Sequence, residues 1–99
     1  MAKYLITATY TPEGMKGVIS KGGSARRDAV SKMVAELGGS VDSFYFAFGD
    51  VDAYVVVDLP ENVSAAAVGM AATKTIVLLT PDEIDKAAQS QVEYRPPGR

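Results

Sequence analysis

Apolar and polar positions alternate over residues 3–10, KYLITATY. Tyr4, Ile6, Ala8 and Tyr10 fall on one face, and Lys3, Leu5, Thr7 and Thr9 on the other. This period of two, with its β-branched and aromatic content, predicts a first strand. Thr11-Pro12-Glu13 predicts a helix start, with Pro at the first helical position. Gly14, Gly17 and Gly22 weaken that segment to a short, mobile helix whose apolar contacts are Met15, Val18 and Ile19. Gly22-Gly23 interrupts the chain, and Ser24 is the expected N-cap of a stronger helix running to about Leu37. Ala29, Val30, Met33, Val34 and Leu37 give it an apolar stripe, and Gly38-Gly39 a stop. The alternative is one long bent helix from Pro12 to Leu37.

Alternation returns over Val41 to Phe48, where Phe44, Phe46 and Phe48 share a face. That face is expected to lie in the core beneath the helices, with Val41, Ser43, Tyr45 and Ala47 opposite. Gly49 to Asp52 forms a turn, and Ala53 to Leu59 the returning strand of a hairpin, closed by Pro60. A second helix is expected from Glu61 or Asn62 through Ala72, and a fourth strand from Lys74 to Leu79. Thr80-Pro81-Asp82-Glu83 has the form of a capping box and opens a short helix to about Gln89. The order β-α-β-β-α-β is the split βαβ, ferredoxin-like pattern: an α+β sandwich with a four-stranded antiparallel sheet and a short C-terminal helix. Residues 1–92 are expected to form one domain and residues 93–99 a C-terminal tail. With helices on one side only, the other sheet face is left open, and it is too apolar to stay in water. A second copy of the chain is the simplest cover, so a homo-oligomer through the sheet face is expected.

Composition narrows the chemistry. The 99 residues are 47% hydrophobic with a net charge of −2, and the isoelectric point is near 5.0. This balance gives no broad basic face, so neither nucleic acid nor an anionic membrane is an expected partner. Cysteine and histidine are both absent. That excludes disulfides, thiolate nucleophiles, Ser-His-Asp and Cys-His chemistry, and zinc–thiolate sites. No metal and no cofactor is expected. The chain opens directly on a strand, without the pattern of a signal peptide, and no apolar run reaches membrane-spanning length, so a cytoplasmic location is expected.

From residue 38 to 60, GGSVDSFYFAFGDVDAYVVVDLP resembles the GYD domain family, as do the following ENVSAAAV and the later LLTPDEID. The resemblance covers nearly the whole chain. It rests on the double glycine, the Phe44-Tyr45 pair, the Gly49-to-Asp52 turn and the proline after strand three. It implies the fold of dimeric α/β barrel proteins and brings no characterised biochemical role. The chain departs from the family at Val51, where the name motif carries Tyr between Gly and Asp, so a phenol there has no part in any chemistry. The link from Ala71-Ala72 to Thr73-Lys74 is also shorter than in such proteins and tighter than an ordinary helix–strand connection.

Five residues stand out as ligand-binding candidates: Tyr10, Arg27, Tyr45, Asp52 and Tyr54. The tyrosines suit a cavity or interface lining because they join an apolar ring to a polar tip, and they suit plain packing for the same reason. Asp50 and Asp52 read either as an acid–base or metal pair or as ordinary turn formers. Arg26 and Arg27 sit in a first helical turn, where the macrodipole disfavours cations. Three readings stay open there: a bound anion, an Arg27–Asp52 ion pair, or solvation. Lys74 fits either a ligand or a guarded strand edge, and Asp82, Glu83 and Asp85 fit a helix N-terminus. The expected function is a sheet-mediated oligomer that binds a small ligand. The alternatives are a cofactor-independent enzyme resembling monooxygenases or isomerases, which would work through Tyr, Arg, Lys or Asp, and a structural interaction module.

Overall fold

The computed structural model of the chain describes residues 2–60 and 74–89. Strand β1 (Ala2–Ala8) leads into helix α1 (Pro12–Lys21) and helix α2 (Gly23–Glu36). Strands β2 (Ser40–Phe46) and β3 (Ala53–Leu59) follow as a hairpin, then strand β4 (Lys74–Leu78) and helix α3 (Pro81–Gln89). The sheet order is β2-β3-β1-β4, and every pairing is antiparallel. This is the strand order of a split βαβ sheet. The expected helix between β3 and β4, the short link before Lys74 and the C-terminal tail lie outside the described residues.

The α/β barrel implied by the family resemblance is not formed. The sheet is open, with β2 at one edge and β4 at the other, and no pairing joins them. Closure needs strands that tilt and stagger around a ring, typically about eight of them. Four strands ending in two separate edges remain a twisted, open layer.

Local chemistry explains the helix boundaries. The Thr11 side chain accepts the Gly14 N–H at 3.0 Å, capping α1, and Pro12 occupies its first position. Gly22 then has φ of 94°, a left-handed conformation that costs glycine little. It splits the segment into two helices, so the single bent helix does not occur. Gly22, not Ser24, is the N-cap of α2, and no side chain caps that end. At the other end Gly38 has φ of 84°. The Gly39 N–H reaches the Val34 carbonyl at 3.0 Å and the Gly38 N–H the Ala35 carbonyl at 3.0 Å, which is a Schellman motif. Thr80 and Glu83 exchange side-chain-to-backbone bonds of 3.1 Å each, completing the capping box of α3.

The core lies between α2 and one sheet face. Tyr4 and Ile6 of β1, Val55, Val57 and Leu59 of β3, and Val34 of α2 are buried together. Met33, Leu37, Val41 and Phe44 pack around them. Val41 and Phe44 share this face although they are three apart, because β2 carries a bulge. Val41 pairs with Val57 and Ser43 with Val56, leaving Asp42 as the extra residue. The expected phenylalanine face is therefore corrected. Phe44 packs on the core, Phe46 is 41% exposed, and Phe48, beyond the strand end, is fully exposed.

On the opposite face, Lys3, Leu5 and Thr7 of β1 lie beside Asp58, Val56 and Tyr54 of β3. Leu78, Ile76 and Lys74 of β4 flank them on the other side. No helix among the described residues is long and apolar enough to cross a membrane.

Candidate functional site

Helix α2 meets the sheet tightly at its C-terminal half, where Val34 is completely buried and Gly39 lets the chain turn against β3. Towards its N-terminus the contacts are made by small residues. Ala29 faces the ends of β1 and β3, which also carry alanines, Ala8 and Ala53, paired with each other. The outcome is a cavity of about 100 Å³ between helix and sheet. Ile6, Val30, Met33, Phe44 and Val55 form its apolar walls, and Tyr10 and Arg26 complete it. A second, more open chamber of about 370 Å³ lies between α1 and α2. Gly14, Gly17 and Gly22 keep side chains out of it, and Tyr10, Arg26 and Ala29 line both chambers.

Three links fix the mouth. The Asp52 carboxylate accepts the Tyr10 backbone N–H at 2.8 Å. The Tyr10 ring lies beneath the Arg26 guanidinium, whose carbon is 5.8 Å from the ring centroid, within cation–π range. Asp52 is itself seated by backbone bonds, donating to the Ala8 carbonyl at 3.0 Å and accepting from the Ala47 N–H at 2.9 Å. The turn aspartate thus anchors the tyrosine, and the tyrosine carries the arginine.

The five expected residues divide among three places. Tyr10 and Asp52 meet at this mouth. Arg27 points elsewhere: its guanidinium pairs with the neighbouring Asp28 at 3.3 Å, both side chains exposed, beside Phe44 and Phe46. The Arg27–Asp52 ion pair is absent among the described residues, because Asp52 is engaged by the Tyr10 backbone. Tyr45 and Tyr54 are cross-strand partners on the open sheet face, 68% and 40% exposed. Asp50 offers its backbone carbonyl to the Thr9 hydroxyl at 3.4 Å. Among the described residues no three His, Cys, Asp or Glu side chains gather as a metal site.

The cavity uses Arg26 where the expected site residue is Arg27. The signal was present: Arg26 precedes Ala29, Val30 and Met33 by three, four and seven residues, so it extends the apolar row of α2. The alanines at 8, 29 and 53 carry no signal in the sequence, since they matter only once the fold sets them around one space.

At the far end of the open face, Lys3 bridges Asp58 at 3.2 Å and Asp42 at 3.5 Å. The Asp58 hydrogen bond, opposed by partial burial and aided by the Asp42 charge, raises the lysine's pKa above its ordinary value.

No curated protein and no solved structure matches the chain. The GYD domain matches residues 4–88, from the start of the β1 core face to the last turn of α3 and including the Gly49-to-Asp52 turn that seats Tyr10. With that match running through most of its 99 residues, the chain belongs to the GYD domain family.

Proposed function

We propose that this protein binds a small molecule in the cavity between α2 and the sheet and associates with a second copy through the open sheet face. The observation that carries the binding reading is the unfilled apolar space behind Tyr10 and Arg26. Protein interiors are packed close to the density of organic crystals, so a space of about 100 Å³ bounded by apolar side chains favours an apolar occupant. An engineered apolar cavity of about 150 Å³ is known to take up benzene, which sets the scale for the group that enters here.

A separate observation supports association. Tyr45, Tyr54 and Ile76 are exposed on one sheet face that also carries Leu5, Val56 and Leu78. Two such faces stack at a separation of about 10 Å with side chains interleaved, and tyrosine is favoured in such contacts. The sheets remain open at their edges in this arrangement.

Native mass spectrometry of the protein purified from its own host tests both parts. The expected spectrum shows a dimer or higher oligomer carrying a bound small molecule. A monomer at micromolar concentration, unchanged by Tyr45→Lys, removes the association reading. For binding, a fragment library is titrated against methyl-labelled protein. If no fragment moves the methyl signals of Ala8, Met33 or Ala53, the cavity is only a packing defect.

A further inference from the structure

We infer that the ligand is a small organic carboxylate, its branched apolar body in the inner chamber and its anionic head between Arg26 and Lys21 in the outer one. This inference rests on the binding reading above and adds the chemical class. The two chambers adjoin at Tyr10, Arg26 and Ala29, which line both. They differ in chemistry. The inner one is walled by aliphatic and aromatic side chains, with Arg26 the one charged residue among the described residues that line it. The outer one adds Lys21, and among the described residues no acidic side chain lines it.

Neither cation is neutralised by another described residue. Among the described residues, ion pairs join Lys3 to its two aspartates and Arg27 to Asp28, and none involves Lys21 or Arg26. Arg26 instead lies over the Tyr10 ring. A guanidinium stacked on an aromatic keeps its edge N–H groups free, and that edge matches a planar carboxylate with two parallel hydrogen bonds. The contact with Tyr10 keeps the guanidinium at the mouth, which lowers the ordering cost of binding. The stripped face of α1 supplies the room: a Cβ built on Gly17 meets nothing within 4 Å. Size limits the other end. At about 100 Å³ the inner chamber is smaller than the benzene-binding cavity cited above, which suits a branched body of about five carbons.

The test compares 4-methylpentanoate with its neutral isostere 4-methylpentanamide by NMR titration of the full chain. The expected result is binding of the acid about tenfold tighter than the amide, a ratio within reach of one charge-assisted bidentate contact. Both compounds shift the Ala8 and Ala53 methyl signals. Arg26→Gln brings the acid down to the amide's affinity, Lys21→Gln lowers the preference in part, and Arg27→Gln leaves it unchanged. Ala29→Leu, at an exposed helical position suited to leucine, blocks the junction and weakens both compounds. Equal affinity for acid and amide, with the same methyl shifts, overturns the carboxylate assignment and leaves the binding cavity standing. If neither compound shifts those methyls and the fragment library also fails, the binding reading itself falls. Inorganic phosphate binding as tightly as 4-methylpentanoate, with both sets of shifts confined to α1 and α2, also overturns the assignment, because the body then plays no part.

Discussion

Removing the Asp52 carboxylate isolates the link that ties the β2–β3 turn to the mouth of the cavity. In Asp52→Ala the two backbone bonds of residue 52, to Ala8 and Ala47, can persist. What is lost is the 2.8 Å bond from the Tyr10 N–H to the carboxylate. Hydrogen bonds to charged groups contribute about 1.5–3 kcal/mol. Because Tyr10 and Asp52 are only partly buried, water can replace part of the bond, and about 1.5 kcal/mol is the expected loss. For a domain of this size each kcal/mol moves the melting temperature by about 4–8 °C, giving a fall of about 6–12 °C. Asp52→Asn keeps an acceptor oxygen without the charge, and about half that loss is expected. Asp50→Ala serves as the control, since that residue contributes its backbone carbonyl to Thr9. Melting curves supply the magnitude, and hydrogen exchange at the Tyr10 amide supplies the location. If Asp52→Ala melts within about 2 °C of the natural protein, less than the shift from a single kcal/mol, and the Tyr10 amide stays protected, the anchoring role is refuted.

Three further outcomes follow from the same structure. Gly39→Ala is expected to cost about 3 kcal/mol or to prevent folding, because the new methyl collides with the Asp58 carbonyl and crowds Leu59 and Val34; urea unfolding measures it. Thr80→Ala removes one half of the capping box and is expected to cost α3 about 1 kcal/mol. Since every residue of α3 is exposed, the effect should be read as faster amide exchange in residues 81–85 with little change in global melting. Lys3 binds its proton more tightly folded than unfolded, so its contribution is complete below the unfolded lysine pKa and is lost as pH rises through the folded one. Lys3→Met should therefore flatten the decline of stability with pH across the lysine range, and an unchanged slope in urea titrations would count against the Lys3–Asp58 bond.

The sequence reads clearly wherever a local rule decides the outcome. Strand β3 spans Ala53–Leu59 as its alternation predicts. The capping box at Thr80 and the helix stop at Gly38 depend on side chains and dihedrals within a few residues. The strand order follows from the sequence of elements. Legibility ends where one residue changes phase or where distant segments converge. The alternation of β2 cannot reveal that Asp42 is skipped, so a strict period of two puts Val41 on the wrong face and Phe48 in the core. The Arg27–Asp52 ion pair, one of three readings open for Arg27, is not legible as excluded until the Tyr10 backbone is seen to occupy Asp52. The cavity depends on three alanines from three elements, none of which is informative alone. The open edges of the sheet likewise depend on how many strands the chain assembles, which no single segment specifies.

The bulge at Asp42 has a consequence for how insertions and deletions act in this strand. Without residue 42, the run Ser40, Val41, Ser43, Phe44, Tyr45 alternates regularly, with the same side chains inward as now. Asp42 therefore behaves as a self-contained extra unit, whose removal leaves the inward set intact and takes away only a local kink and one partner of Lys3. Removing Ser43 instead also keeps Val41 and Phe44 inward, because Asp42 then fills the outward place opposite Val56 and the kink is lost with it. Either single-residue deletion thus restores a regular ladder, and the two differ in which side chain, Ser43 or Asp42, stands outward opposite Val56.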